Sequence, residues 1–116
     1  MITEQEFHAM AMGFQLTSFE TKGEVTRYMV FKKKFASIRY CKGRASVKLS
    51  ILDQDVFCSF DTKVMYPIPN RAGKNGWTHI NVNNIKKDMC LDAITMAYCE
   101  VAPKDLAAQY AYDDNL

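Results

Sequence analysis

The side chains able to do chemistry fall into two groups. The first is a run of cations. Lys22, Arg27, Lys32, Lys33, Lys34, Arg39, Lys42, Arg44 and Lys48 face a single acid, Glu24, so residues 22–48 carry +8. The net charge of +2 leaves −6 for the remainder of the chain. A near-neutral total therefore hides one strongly basic stretch on an acidic body. Clustered Lys and Arg on neighbouring strands suit phosphate contacts, each of which displaces a condensed counterion. The plainer alternative is a solvated sheet face whose lysines keep strand edges from aggregating. The second group is Lys74, Trp77 and His79. An indole with basic and amide neighbours can stack a base or bind an anion. Equally, it can close a core beneath a glycine-shaped loop.

Catalytic chemistry finds little footing. Cys41, Cys58, Cys90 and Cys99 form no C-x-x-C pair, and no histidine lies at zinc-finger spacing beside them. They read as reduced thiols, buried as small hydrophobes. His8 stands beside acidic residues and reads as a surface histidine. Asp88 and Asp92 have i, i+4 spacing but lack a third ligand. No G-x-x-x-x-G-K-S/T, G-x-G-x-x-G or H-E-x-x-H occurs. No catalytic residue, metal or cofactor is assigned, and a binding domain is expected in place of an enzyme.

The elements that must position these groups follow from periodicity. The chain has 116 residues and 13.3 kDa, 48% apolar and 24% charged, which is ordinary globular composition for one domain over 1–116. Thr3-x-x-Glu6 is a capping box ahead of Phe7, Met10, Ala11 and Phe14, one face of a helix. Residues 25–31, 35–41 and 45–49 read as strands, with turns at Lys32–Lys34 and Lys42–Arg44. Ser50 or Asp53 can cap a helix over roughly 54–63, with Leu52, Val56, Phe57 and Phe60 as its core stripe. Pro67 and Pro69 keep 64–68 extended, and 70–76 is a loop. In the strand 77–82, Ile80 and Val82 must face the core. Alternation then puts Trp77, His79 and Asn81 on the opposite face, where the 70–76 loop or a ligand must cover the indole. Asn83 or Asn84 caps a helix over 85–100, a short helix follows Pro103, and 113–116 is frayed. The order α-β(3-4)-α-β(2)-α predicts an α+β, two-layer α/β domain. Its sheet is mostly antiparallel, with one face covered by helices and the other open.

Four segments carry a family resemblance. Met29-Val30-Phe31-Lys32-Lys33-Lys34-Phe35-Ala36 looks like the strand-turn-strand of the MmcQ/YjbR-like proteins, with Lys33-Lys34 where that family has glycines. Val47-Lys48-Leu49-Ser50 followed by Asp53 to Asp55 resembles its next segment, with Ser50 where many members have cysteine. Gly73-Lys74-Asn75-Gly76-Trp77 resembles its K-x-x-W loop. The segment 97–107, including Val101-Ala102-Pro103-Lys104, resembles its closing motif. The resemblance spans about residues 3–108. It implies a fold similar to the CyaY-like and secretion-chaperone-like domains. For that family a double-wing arrangement for DNA binding has been proposed, with no agreed ligand or reaction.

Together these readings predict a small cytosolic binding domain, since the polar start Met1-Ile2-Thr3-Glu4 is unlike a secretory signal. No apolar run approaches the ~20 residues that span a bilayer, so no membrane partner is expected. The expected partner is DNA or another nucleic acid, held by the basic hairpins. The alternative is a protein-interaction or chaperone-like module, or a homodimer, that uses the open sheet face. The two differ in what that face displays: basic and aromatic groups, or a continuous apolar patch.

Overall fold

The computed structural model describes residues 1–110. Helix α1 (Glu4–Met12) starts at the capping box: Glu6 N–H donates to Thr3 Oγ1 at 3.1 Å, and Thr3 N–H donates to the Glu6 carboxylate at 2.9 Å. Then come β1 (Thr17–Lys22), β2 (Val25–Val30), β3 (Lys33–Arg39), β4 (Arg44–Lys48), α2 (Ile51–Phe60) and β5 (Met65–Pro67). A short α3 (Arg71–Lys74), β6 (Trp77–Asn81), α4 (Lys87–Val101) and α5 (Lys104–Ala107) complete it. The strands form one sheet, ordered β1-β2-β3-β4-β6-β5, and every adjacent pair is antiparallel. Strand β5 ends on Pro67, which has no N–H to give a second neighbour, so it sits at the edge and β6 takes the inner place. Phe7, Phe35, Val47, Ile80, Ile94 and Tyr98 are fully buried between the sheet and the helices. The expected α+β class, the antiparallel sheet and its single covered face are all present.

Several local expectations are corrected. Val30 pairs with Lys33, so the β2–β3 turn is only Phe31 and Lys32, and Lys33 and Lys34 already belong to β3. Both turn residues are left-handed, with φ of 49° and 66°. A two-residue hairpin needs that conformation, but it costs a non-glycine residue about 1–2 kcal/mol. Tyr28 pairs with Ala36 while Met29 pairs with Lys34, which leaves Phe35 as an extra, bulged residue. Phe35 and Ala36 are consequently both buried. Strand β3 stops at Arg39, and Tyr40–Lys42 is a single 3-10 turn closed by left-handed Gly43. The expected strand to residue 41 is therefore too long.

The core stripe assigned to α2 is also wrong. The helix is capped by Ser50, whose Oγ accepts from Asp53 N–H at 3.0 Å, and starts earlier than its periodicity implied. Leu52, Val56 and Phe60 face outward, 75%, 51% and 74% exposed. The side chain that α2 buries is Gln54, whose Nε2 donates to the carbonyls of Gly73 and Trp77 and to Thr78 Oγ1. Phe57 and Cys58 only lean on the core. Residues 70–76 contain α3, capped by the Asn70 side chain. Neither Asn83 nor Asn84 caps α4: both N–H groups turn back to Asn81, and the cap position is Lys86. The frayed end expected at 113–116 lies outside the described residues. Among the described residues no helix is long and apolar enough to cross a membrane.

Candidate nucleic-acid interface

Cross-strand register builds the open face. Direct partners share a face, so one continuous row runs Glu20, Arg27, Ser37, Ser46, His79, Tyr66 across all six strands. Ser37 and Ser46 hydroxyls are 2.7 Å apart, and the Tyr66 and His79 rings meet edge-on at 5.3 Å. On one side of this row lie Arg39, Arg44 and Asn81, themselves partners. On the other lie Met29 with Lys34, and Lys48 with Trp77. The bulge at Phe35 puts Lys34 here; unbroken alternation would have placed it with Ala36, toward the core.

Arg27, Lys34, Arg39, Arg44 and His79 converge, with Ser37 and Ser46, on a hollow of about 220 Å³. No carboxylate lines it. Among the described residues the ion pairs are Lys48–Glu100 and Lys87–Glu6, so none of these four cations is neutralised by one. The Lys34 ammonium lies 4.8 Å from the centre of the Trp77 ring. Loss of solvent, and then repulsion from Arg27, hold its pKa below the ordinary lysine value. Burial, and then Arg44, push the His79 pKa down, against a smaller upward effect of the Ala45 backbone. Its Nδ1 is buried without a hydrogen-bond partner. Excess positive charge is thus held together with little internal relief, an arrangement that a bound anion would stabilise.

The other expected residues scatter. Lys32 is at the β2–β3 turn, Lys33 begins β3, and Lys42 is in the 3-10 turn at the far end of that strand; all three are exposed. Seven residues of β3 span about 20 Å, a length over which a DNA strand presents about six phosphates. Lys48 is drawn off the face, donating to the Leu49 carbonyl at 3.3 Å and standing 4.0 Å from Glu100 of α4. Lys74 does not join Trp77 and His79. It lies on α3 and lines a separate hollow with Arg71 and Gln54. Trp77 has the face predicted for it and is half-buried, with the Lys34 ammonium over its ring.

Some useful groups escaped the sequence reading. The Ser37–Ser46 contact needs the β3–β4 register, and Tyr66 needs β5 to lie beside β6. His8 is no free surface histidine: its Nδ1 is 2.9 Å from the Tyr28 hydroxyl, and its ring packs edge-on to Phe19. Cys41 is not buried but exposed, donating to Glu24 at 3.2 Å, while Cys90 is fully buried. All four cysteines are free thiols. Among the described residues no group of three His, Cys, Asp or Glu side chains is placed to hold a metal.

The fold is that of a solved bacterial structure. Deinococcus radiodurans protein DR2400, which carries the family-model domain DUF419, superposes with a TM-score of 0.74. The alignment covers 100% of this chain and 93% of that one at 12% identity, a level at which likeness shows the fold alone. No family model matches the sequence, and no curated protein matches it.

Proposed function

We propose that this is a small cytosolic domain of the MmcQ/YjbR-like kind that binds nucleic acid through its open sheet face. One observation carries the reading: Arg27, Lys34, Arg39, Arg44 and His79 meet at one hollow that no carboxylate lines. Phosphates seated there would accept from the guanidinium groups and from the Ser37 and Ser46 hydroxyls. Lys32 and Lys33 at one end of β3 and Lys42 at the other extend the same charge as two basic wings. The face contributes position and affinity, not base readout, because its donors are chiefly long cationic side chains.

The alternative, a protein-interaction or chaperone-like module or a homodimer built on this face, needs a continuous apolar patch there. The face displays cations, hydroxyls and half-buried rings instead, and the exposed apolar stripe belongs to α2. That balance favours nucleic acid over a protein partner.

The test is fluorescence anisotropy with labelled generic duplex and single-stranded DNA over a range of salt. Affinity for at least one of them should fall steeply as salt rises. In the variant with Lys34, Arg39 and Arg44 all changed to Gln, the log–log slope should flatten by about 0.9 per lost duplex contact, or about 0.7 on a single strand. Replacing Lys32, Lys33 and Lys34 with Gln tests one wing in the same way. Binding that is absent at low salt, or indifferent to both triple variants, would remove the face from consideration.

A further inference from the structure

We infer that Phe31 is a wedge that inserts between base pairs of duplex DNA while the basic face holds the backbone. The inference rests on the nucleic-acid reading above and adds what the tip of the β2–β3 hairpin does. Phe31 occupies the first turn position with φ 49°, followed by Lys32 with φ 66°. Asn-Gly or Gly-Gly would suit that turn without strain. A β-hairpin tip has no evident structural need for a phenylalanine there, and the fold leaves Phe31 60% exposed. Strain that the fold does not repay is a signature of function.

Its surroundings narrow the partner. Leu16 precedes Thr17, the partner of Val30, so it lies at the same end of the sheet as Phe31. It too is left-handed, with φ 61°, and 64% exposed. Two bulky apolar residues in strained backbone therefore stand at one corner. Lys32 and Lys33 follow Phe31 directly, and Lys34 begins the basic face. An apolar tip ringed by lysines fits a polyanion with an apolar interior. Duplex DNA is such a partner: phosphates outside, stacked bases within, and steps that open for Phe, Leu, Ile or Met side chains. Pyrimidine–purine steps open most easily.

The probe is a short duplex with 2-aminopurine beside a central TA step, whose emission rises on unstacking. A donor–acceptor pair on the duplex ends reports bending. Wild-type protein should raise the 2-aminopurine emission and kink the duplex by about 20–90°. Phe31→Asn suits the left-handed turn and should melt no lower than wild type. It should keep the salt slope but lose both the emission rise and the kink. Phe31→Leu should retain part of each. Salt-dependent binding by the wild type without an emission rise would overturn the wedge and leave the basic face standing. So would a rise that survives Phe31→Asn. No binding to any DNA would sink both proposals. Phe31-dependent binding to vesicles of anionic phospholipid, with no 2-aminopurine response, would assign the tip to a lipid surface and overturn the wedge.

Discussion

Arg39 and Arg44 are direct cross-strand partners and both are exposed. Like charges placed so are expected to weaken the sheet. Opposed Cβ atoms lie ~5 Å apart and long side chains splay further, so charges taken at about 7 Å in a water-like dielectric repel by about 0.6 kcal/mol. A Debye length of about 10 Å at 0.1 M salt halves that to about 0.3 kcal/mol. Arg44→Gln should therefore stabilise the free protein slightly, raising Tm by about 1–3 °C in low salt, where a domain of this size gains about 4 °C per kcal/mol. The gain should vanish near 1 M salt, where the charges no longer sense each other. The same change should weaken DNA binding and flatten its salt slope by about 0.9. The two effects have opposite signs, and that is the informative part. Thermal melts at two salt concentrations and anisotropy titrations on the same preparations measure them together. If Arg44→Gln lowers Tm in low salt, the arginine is holding the sheet and is not strained by its neighbours. If Tm rises but the slope is unchanged, the repulsion is real and unrelated to binding.

The remaining expectations concern protons, thiols and packing. His79 has a folded pKa below its ordinary 6.5, so the unfolded chain takes up the proton first as pH falls. Stability tied to neutral His79 is full above about 6.5 and is lost below it, whereas a bound polyanion favours the imidazolium, so DNA affinity should rise over the same window. His79→Gln should flatten both trends in melts and titrations at about pH 7.5 and about 5.5, and identical profiles for variant and wild type would refute the assignment. In native protein a thiol reagent should reach Cys41 first, slowed because its hydrogen bond to Glu24 raises its pKa, and should spare Cys90, whose pKa burial pushes up to about 12. Glu24→Gln should speed the Cys41 reaction, and unfolding without reductant should expose all four thiols; finding fewer would overturn the free-thiol state. Finally, Phe60→Ser should cost well under 1 kcal/mol because the ring is 74% exposed, whereas Phe35→Ala, at 0% exposure, should cost about 3–5 kcal/mol. Comparable losses in chemical denaturation would mean that α2 packs the other way round.

What the sequence disclosed depended on whether a signal was local. The capping box at Thr3 and Glu6, the alternation through β6 and the cationic run are read within a few residues, and the structure contains each. Trp77 was assigned the right face because Ile80 and Val82 anchor its strand. On α2 the apolar stripe misleads: the structure turns Gln54 inward, within reach of three acceptors, and leaves Leu52, Val56 and Phe60 outside. Lys74 and Lys48 left the expected groups for tertiary reasons. One rides on a short helix formed within an apparent loop, and the other has an acid within reach on α4. At the hairpin tip lysines, not phenylalanine, look like turn residues, so the sequence alone places the turn at 32–34 and not at Phe31 and Lys32. Register alone identifies Phe31.

The extra residue at Phe35 acts on β3 as a frameshift acts on a reading frame. Residues after it are read in one parity and residues before it in the other, so one strand serves two assignments of inside and outside. Deleting a single residue there would leave the chain's composition almost untouched. It would restore regular pairing and leave Lys34 opposite Met29 on the open face, at the cost of one buried ring from the core. Smoothing the bulge with every residue kept is the change that would turn Phe35 outward and Lys34 inward, a switch of surface chemistry with no change of length. An alignment gap drawn one position away would swap a cation for a core residue on paper. Relatives of this fold should be compared here by pleat and not by column: the diagnostic is two adjacent buried apolar residues just after a charged one.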